Sequence, residues 1–333
     1  MSDAGAVALV DVAQLDEPEH LATAIAHALT TTGFLFVRGH GLEHDAERML
    51  DISEHFFRHE TPEEKARCAY AENKGYTTVS QESLDPSKPA PDLKEGFNLG
   101  YVRPGNLPEP TQPLPGLLAQ HASELAEFQH RCFAFCQRLL TAFAVALELP
   151  LDFFARQHHE GPDSRSILRF LHYPAIPPGA QVDPNRAGAH SDYGSLTLLF
   201  QRKSGGEGLQ ILPPSEPLDS GRWRDTGVVD DALLVNVGDA LELWSGARFK
   251  STLHRVVLPT PLPIGGVPER FSIAWFHQPT PTASLKTCVD VTSISENDLA
   301  RMERKGVKPG TEITADEHLQ ARLASTYNLS RKQ

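Results

Sequence analysis

Two triplets in this chain place a histidine two residues before a carboxylate: His158-His159-Glu160 and His190-Ser191-Asp192. With 15 His and 43 Asp plus Glu among 333 residues, composition alone predicts about two, so context must decide between them. His158 and Glu160 run into the loop EGPD with no β pattern around them and read as a solvated surface cluster. His190 and Asp192 lead into the β-type run SLTLLFQ. In a strand, residues i and i+2 share a face, so this imidazole and carboxylate would converge on one ion. His254, in the strand pattern STLHRVVL, offers a second imidazole. Two imidazoles and one carboxylate suit Fe(II) and leave part of the coordination sphere open, which separates a catalytic site from a closed structural one.

Arg270 opens the strand pattern RFSIAWF, where Arg270, Ser272, Ala274 and Phe276 share one face. If that face is interior, an Arg is being buried, at a cost that only an anionic partner offsets. The partner is either a ligand carboxylate, gripped by the guanidinium and touched by the Ser272 hydroxyl, or a protein carboxylate such as Asp239 or Glu242. Other candidates carry less. His55 and His59 are spaced like zinc-protease ligands, but no glutamate follows His55. Cys132 and Cys136 fall on the apolar stripe of a helix and read as core; His40, beside two glycines at a strand end, reads as structural. Phosphate-binding loops, dinucleotide fingerprints and nucleophile elbows are absent.

These residues need a β scaffold, and the chain has one. From Ser166 onward, short β-type runs separated by Gly and Pro (SILRFLHY, SLTLLFQ, GLQIL, ALLVNVG, ALELW, STLHRVVL, RFSIAWF) predict a double-sheet jelly roll. Ahead of it, Val7–Val12 reads as a strand, Glu17–Thr31 and Glu43–His59 as helices, and residues 33–41, GFLFVRGHG, as a strand closed by glycines. Residues 116–148 carry Leu118, Ala122, Leu125, Phe128, Cys132, Phe135, Leu139, Ala142 and Ala146 at helical spacing, the buried stripe of one long helix. Residues 72–110 lack a period and read as an irregular stretch folding over the site as a lid. The expected organisation is an N-terminal mixed α/β region (1–115), a long supporting helix (116–160), a jelly-roll core (161–283) and a helical tail (284–333) with helices at Ser293–Lys305 and Ala315–Tyr327. Net charge −12 argues against nucleic acid as partner, and no apolar stretch is long enough to span a membrane. Four cysteines without a signal peptide fit a reduced, cytoplasmic protein, and a monomer is expected.

Taken together, the motifs resemble the iron(II) and 2-oxoglutarate-dependent dioxygenases of the isopenicillin N synthase-like branch. GFLFVRGHG is similar to that family's N-terminal region. GAHSDYGSLTLLFQ, GEGLQIL, VNVGDALELWSG, STLHRVV and ERFSIAWFHQP follow its catalytic core in order. The resemblance implies a double-stranded β-helix, with His190, Asp192 and His254 holding iron. It also implies that Arg270 and Ser272 hold the far carboxylate of 2-oxoglutarate, with Tyr173 of LRFLHYP assisting. Many plant members carry Asn where this chain has Leu171, so a cosubstrate contact made by that Asn is absent or supplied elsewhere. His172 faces the other side of its strand and reads as structural.

The implied reaction consumes O2 and 2-oxoglutarate, releases succinate and CO2, and oxidises a small molecule of specialised metabolism. Hydroxylation, desaturation and ring closure or expansion are all within reach of that chemistry. Candidate substrate-wall residues are Phe276, from strand alternation, with Phe97, Tyr101 and Leu212 if residues 72–110 fold over the mouth. One alternative is an oxidase of the isopenicillin N synthase type that uses O2 without 2-oxoglutarate; a more remote one is a non-catalytic ligand-binding jelly roll.

Overall fold

A computed structural model of the chain describes residues 7–79, 81–85, 91–203, 207–290, 294–307 and 312–326. The first element, β1 (Ala8–Asp11), is followed by α1 (Pro18–Thr31), β2 (Phe34–Arg38), α2 (Glu43–His59) and α3 (Pro62–Arg67). Next come the short strands β3 (Gly75–Thr77), β4 (Glu95–Leu99), β5 (Val102–Arg103) and β6 (Glu109–Pro110). Helices α4 (Gly116–Ala119) and α5 (Ala122–Ala146) lead to the β core: β7 (Ile167–Tyr173), β8 (Asn185–His190), β9 (Leu196–Gln201), β10 (Leu209–Ile211), β11 (Arg224–Asp225) and β12 (Ala232–Val237). After α6 (Asp239–Trp244), strands β13 (His254–Val257) and β14 (Arg270–His277) complete it, and α7 (Glu296–Arg304) and α8 (Ala315–Thr326) follow.

The strands form an eight-stranded sheet, β1-β2-β12-β9-β14-β7-β4-β3, facing a four-stranded sheet, β11-β10-β13-β8. They are the two layers of a jelly roll and do not close into a barrel. Alternation along each strand of the large sheet separates two cores. One face packs on α1, α2 and α5, with Phe128 against Phe200 (5.3 Å between ring centroids). The other turns toward the small sheet, where Phe34, Leu171, Tyr173, Ala187 and Val256 cluster. Cys132 and Cys136 are fully buried in the first core, and burial drives both thiols well above their ordinary pKa.

Three local expectations need correction. The single helix of 116–148 is two, because the chain turns at Gln120 and His121; α5 then ends before Glu148, which adopts φ 58°. ALELW, expected as a strand, is helical. Its residues are all buried, so hydropathy alternation carries no information there, and Asp239 and Glu242 must share a face to meet one lysine. The stretch 72–110 is less irregular than expected: β3 and β4 are hydrogen-bonded into the edge of the large sheet, making that part a wall, while residues 80 and 86–90 lie outside the described set. Parts of the tail, 291–293, 308–311 and 327–333, also lie outside it, including the expected helix ends at Ser293 and Tyr327.

The C-terminal helices are held by buried charge. Lys305 Nζ meets Asp239 Oδ1 (3.1 Å) and the Glu242 carboxylate, and it donates to Ser251 O (2.9 Å). Burial alone would raise the Asp239 pKa, but Lys305, Arg322 and His318 together hold it well below the usual carboxylate range. Removing one partner of such a pair leaves uncompensated charge in the interior. Lys305→Met is therefore expected to lower the unfolding free energy by about 3–5 kcal/mol in urea titrations at neutral pH. A loss below about 1 kcal/mol would show that the cluster is solvated and that the helices are held by something else.

Candidate functional site

His190 ends β8, and Asp192 lies in the turn that joins it to β9, not in a strand with it as the spacing suggested. Convergence is achieved by the turn and by pairing: His254, the first residue of β13, sits opposite His190 in the small sheet. His190 Nδ1 donates to Gly188 O (2.7 Å) and His254 Nδ1 donates to Thr252 O (3.1 Å). Each bond fixes a tautomer that leaves Nε2 as the lone-pair nitrogen. Those two Nε2 atoms stand 3.8 Å and 3.7 Å from Asp192 Oδ1, and the potential ligand atoms of all three residues lie within 4.8 Å of one another. The other carboxylate oxygen, Asp192 Oδ2, accepts from Thr197 Oγ1 (2.6 Å) and Asn236 Nδ2 (2.7 Å). Burial pushes the Asp192 pKa up, but the two imidazoles and these hydrogen bonds bring it below its ordinary value. Burial, then the neighbouring His254, lowers His190 to about 3. Neutral imidazoles and an ionised carboxylate are the forms that ligate a metal.

The turn carrying Asp192 is backed by very close backbone packing. A Cβ on Gly194 would lie 2.5 Å from His277 O, and one on Gly238 would lie 2.2 Å from Gly194 O. Only glycine permits that approach, and it lets Asp239 N donate to Asp192 O (2.8 Å) and Gly238 N to Ser195 O (2.9 Å).

A cavity lies between the sheets, with the triad on its wall. At one end is Arg270, 3 % exposed. Its guanidinium lies 4.8 Å from the Tyr173 ring centroid, and Nη2 donates to Gln201 Oε1 (2.8 Å). Nε, Nη1 and the Ser272 hydroxyl are buried with no partner. Asp239 and Glu242, the carboxylates considered for it, are engaged by Lys305 instead. A second guanidinium, Arg186, lies 5.2 Å from the same Tyr173 ring, and burial lowers its pKa to about 10. Among the described residues neither Arg270 nor Arg186 forms an ion pair. Two buried cations without a counter-ion call for an anion, and a ligand carboxylate fits both the charge and the fork of donors.

Of the expected substrate-wall residues, Phe276 lines the cavity. Phe97 does not: alternation in β4 turns it to the helix side, against Phe56 (5.6 Å). Leu212 follows β10 on the opposite side from Leu209 and is fully buried, and Tyr101 lies past the end of β4, away from the cavity. The cavity brings in residues that the sequence did not single out: Asn73, Lys94, Asn98, Arg169, Gln278 and, from α8, Leu319 and Leu323. Arg169 had a readable signal, since it shares a strand face with Leu171 and Tyr173; the α8 residues had none. His172 does turn to the other face, as expected, where it bonds Glu95 (2.7 Å) and Glu269 (3.0 Å).

His158 is a core residue and not the surface group expected from its loop. It is 6 % exposed, its Nδ1 donates to Phe154 O (2.8 Å), and its Nε2 accepts from Ser195 Oγ (2.8 Å). Its ring stacks on His277 at 4.6 Å, just behind the turn that carries Asp192.

Residues 163–279 match the family described as the 2OG-Fe(II) oxygenase superfamily, and residues 7–117 match the N-terminal family described as non-haem dioxygenase in morphine synthesis. A UPF0676 protein of Schizosaccharomyces pombe is 34 % identical over 90 % of this chain and 86 % of its own. The proline hydroxylase buaE of Petromyces alliaceus is 32 % identical over 77 % of this chain and 76 % of its own. Among solved structures, a full-length Neurospora crassa protein in complex with alpha-KG and thymine superposes with a TM-score of 0.76 at 28 % identity, covering 98 % of each chain.

The buried imidazole pair generates a pH-dependent prediction. Burial lowers His158 from 6.5 to about 4 and holds His277 well below its ordinary value. The unfolded chain therefore takes up protons near pH 6.5 that the folded chain refuses. Stability should be complete above that pH and fall as the pH drops toward about 4, with a shallower fall in His277→Phe. His158→Ala should cost on the order of 2–4 kcal/mol at neutral pH, whereas Glu160→Ala, which loses one partly exposed contact with His130, should cost under about 1. Urea unfolding across this pH range checks both; equal costs would return His158 to the surface.

Proposed function

This chain belongs to the 2OG-Fe(II) oxygenase superfamily and is an Fe(II)- and 2-oxoglutarate-dependent dioxygenase; we propose that His190, Asp192 and His254 hold its iron and that Arg270, Ser272 and Tyr173 hold its 2-oxoglutarate. The enzyme oxidises a small molecule with O2 and converts 2-oxoglutarate to succinate and CO2. The observation that carries the residue assignment is Arg270: a buried guanidinium with two unpartnered nitrogens, beside an unpartnered Ser272 hydroxyl, in the cavity that also holds the triad. A bound Fe(II) would supply the activation of O2 that no side chain can.

The protein's own contribution is positional. Thr197 and Asn236 occupy one Asp192 oxygen, which leaves the other for the metal. Arg270 offsets the far carboxylate's charge, and Tyr173 lies against its guanidinium. Leu171, on the wall between them and Arg169, offers no polar contact, so the cosubstrate's remaining recognition falls to these groups. Four unpaired cysteines support action in a reducing compartment such as the cytoplasm. The relatives diverge on substrate: one is named for proline, and a solved neighbour holds thymine. The oxidase alternative is not favoured, since relatives of this similarity are named for 2-oxoglutarate.

Asp192→Ala should fail to retain Fe(II) in anaerobic equilibrium dialysis and should lose turnover. Losing the contact between a buried guanidinium and a carboxylate costs about 2–5 kcal/mol, so Arg270→Ala should weaken 2-oxoglutarate binding on the order of 30- to 3000-fold. Arg270→Lys should recover part of that, because an ammonium lacks the planar fork. Titration of the Fe(II) protein with 2-oxoglutarate, followed by the visible charge-transfer band, measures both. Unchanged affinity in Arg270→Ala would remove the cosubstrate assignment.

A further inference from the structure

Away from Arg270, the cavity's charged groups answer one another. Lys94 Nζ contacts Glu82 Oε2 (2.9 Å) and the Asp92 carboxylate, and Arg169 Nη2 donates to Glu82 Oε1 (2.6 Å). The guanidinium is given room by a glycine in the adjacent strand: a Cβ on Gly96 would stand 3.1 Å from Arg169 Nη2. Among the described residues, two cations and two carboxylates here offset one another. A substrate ammonium or carboxylate bound here would be desolvated against groups whose opposite charges are already matched, which is strongly unfavourable.

The uncommitted polarity at this end belongs to amides. Asn98 Nδ2 donates to Asn73 O (3.0 Å) and Asn73 Oδ1 (3.2 Å). Those bonds fix the amide's orientation, since turning it over would set its oxygen against two acceptors. Asn98 Oδ1 is left buried without a partner, on a residue 3 % exposed. Arg169, its cross-strand partner in register, lines the same cavity and carries its guanidinium, with several N–H donors, over Gly96 on the same strand face. The Gln278 side-chain amide, also on the wall, makes no hydrogen bond among the described residues; only its backbone N is engaged, by Ser166 Oγ. Phe276 adds an apolar ring and α8 an aliphatic cover.

Resting on the dioxygenase reading above, we infer that the primary substrate is a small neutral molecule with an N–H beside a carbonyl, a cyclic amide or imide, and is not an amino acid. The N–H donates to Asn98 Oδ1, the adjoining carbonyl accepts from Arg169, and Gln278 reads a further polar edge. Wall charges that are already paired discriminate against zwitterions, because among the described residues neither an ammonium nor a carboxylate finds an unmatched counter-charge at this end of the cavity.

The test uses the Fe(II)- and 2-oxoglutarate-loaded protein under argon. Failure of the charge-transfer band to form with 2-oxoglutarate alone would sink the dioxygenase reading and this inference with it. With the band present, thymine, hydantoin and 2-piperidone are titrated against their N-methylated forms and against proline. At least one N–H compound should perturb the band with at least tenfold higher affinity than its N-methylated form, with proline silent. Asn98→Leu should weaken that ligand by about tenfold to a hundredfold, and Gln278→Leu by a smaller factor. The inference is overturned, with the reading intact, if proline is preferred, if N-methylation makes no difference, or if none of these compounds moves the band.

Discussion

Two guanidinium groups that have no counter-ion among the described residues, Arg270 and Arg186, flank Tyr173 inside the core between the two sheets. Most of what surrounds them follows from keeping that charge dry and available. The strand faces beside it are aliphatic, Gln201 turns a neutral oxygen toward Arg270, and the nearby acids are committed elsewhere, Asp92 and Glu82 to Lys94 and Asp239 and Glu242 to Lys305. A protein carboxylate in this pocket would have stabilised the empty fold but closed the site. With the cosubstrate assignment proposed above, the carboxylate of 2-oxoglutarate would complete the core as well as the chemistry, and its binding should be linked to the stability of the fold.

The proposed iron site obeys a different constraint, which is backbone proximity. The Asp192 turn is wedged between the end of β14 and the start of α6, where Gly194 and Gly238 allow main chains to approach more closely than any side chain permits. Asp192 is thus located by hydrogen bonds to its own carbonyl and to its distal oxygen, and the two histidines by cross-strand pairing. Alternation along a strand plays no part in bringing His190 and Asp192 together. The stacked His158 and His277 lie directly behind, so packing that looks remote from the site supports the turn that carries a ligand.

The cavity is divided by electrostatics into two ends with opposite needs. Among the described residues, one holds Arg270 without a counter-ion; the other sets Lys94 and Arg169 against Glu82 and Asp92 and exposes amide groups. The chain closes the second end from far away in sequence, with Asn98 from β4, next to the edge strand β3, and Leu319 and Leu323 from the last described helix. That helix is itself attached through Arg322 to Asp239, which Lys305 at the end of α7 also meets, one residue beyond the glycine that braces the Asp192 turn. Metal site, cavity wall and C-terminal helices are in this way one connected structure.

Chemistry that is local or periodic is legible in the residues and their spacing. The metal-ligand types, the interior face of β14 with Arg270, Ser272 and Phe276, the buried stripe of α5 and the jelly-roll texture are all encoded there. Phe97 and Leu212 lie elsewhere than expected because alternation along their own strands, and not a covering segment, sets where they point. His158 lies in the core although a polar residue near a Gly-Pro-Asp loop looks solvated until the packing that closes over it is known. Folding alone determines which carboxylates answer which cations, and so which guanidinium remains for a ligand. Those pairings join residues such as Asp239 and Lys305, or Glu82 and Arg169, that are far apart in the chain. Nothing in local sequence carries the distance between them, and in a desolvated interior that distance decides whether a charge is structural or functional.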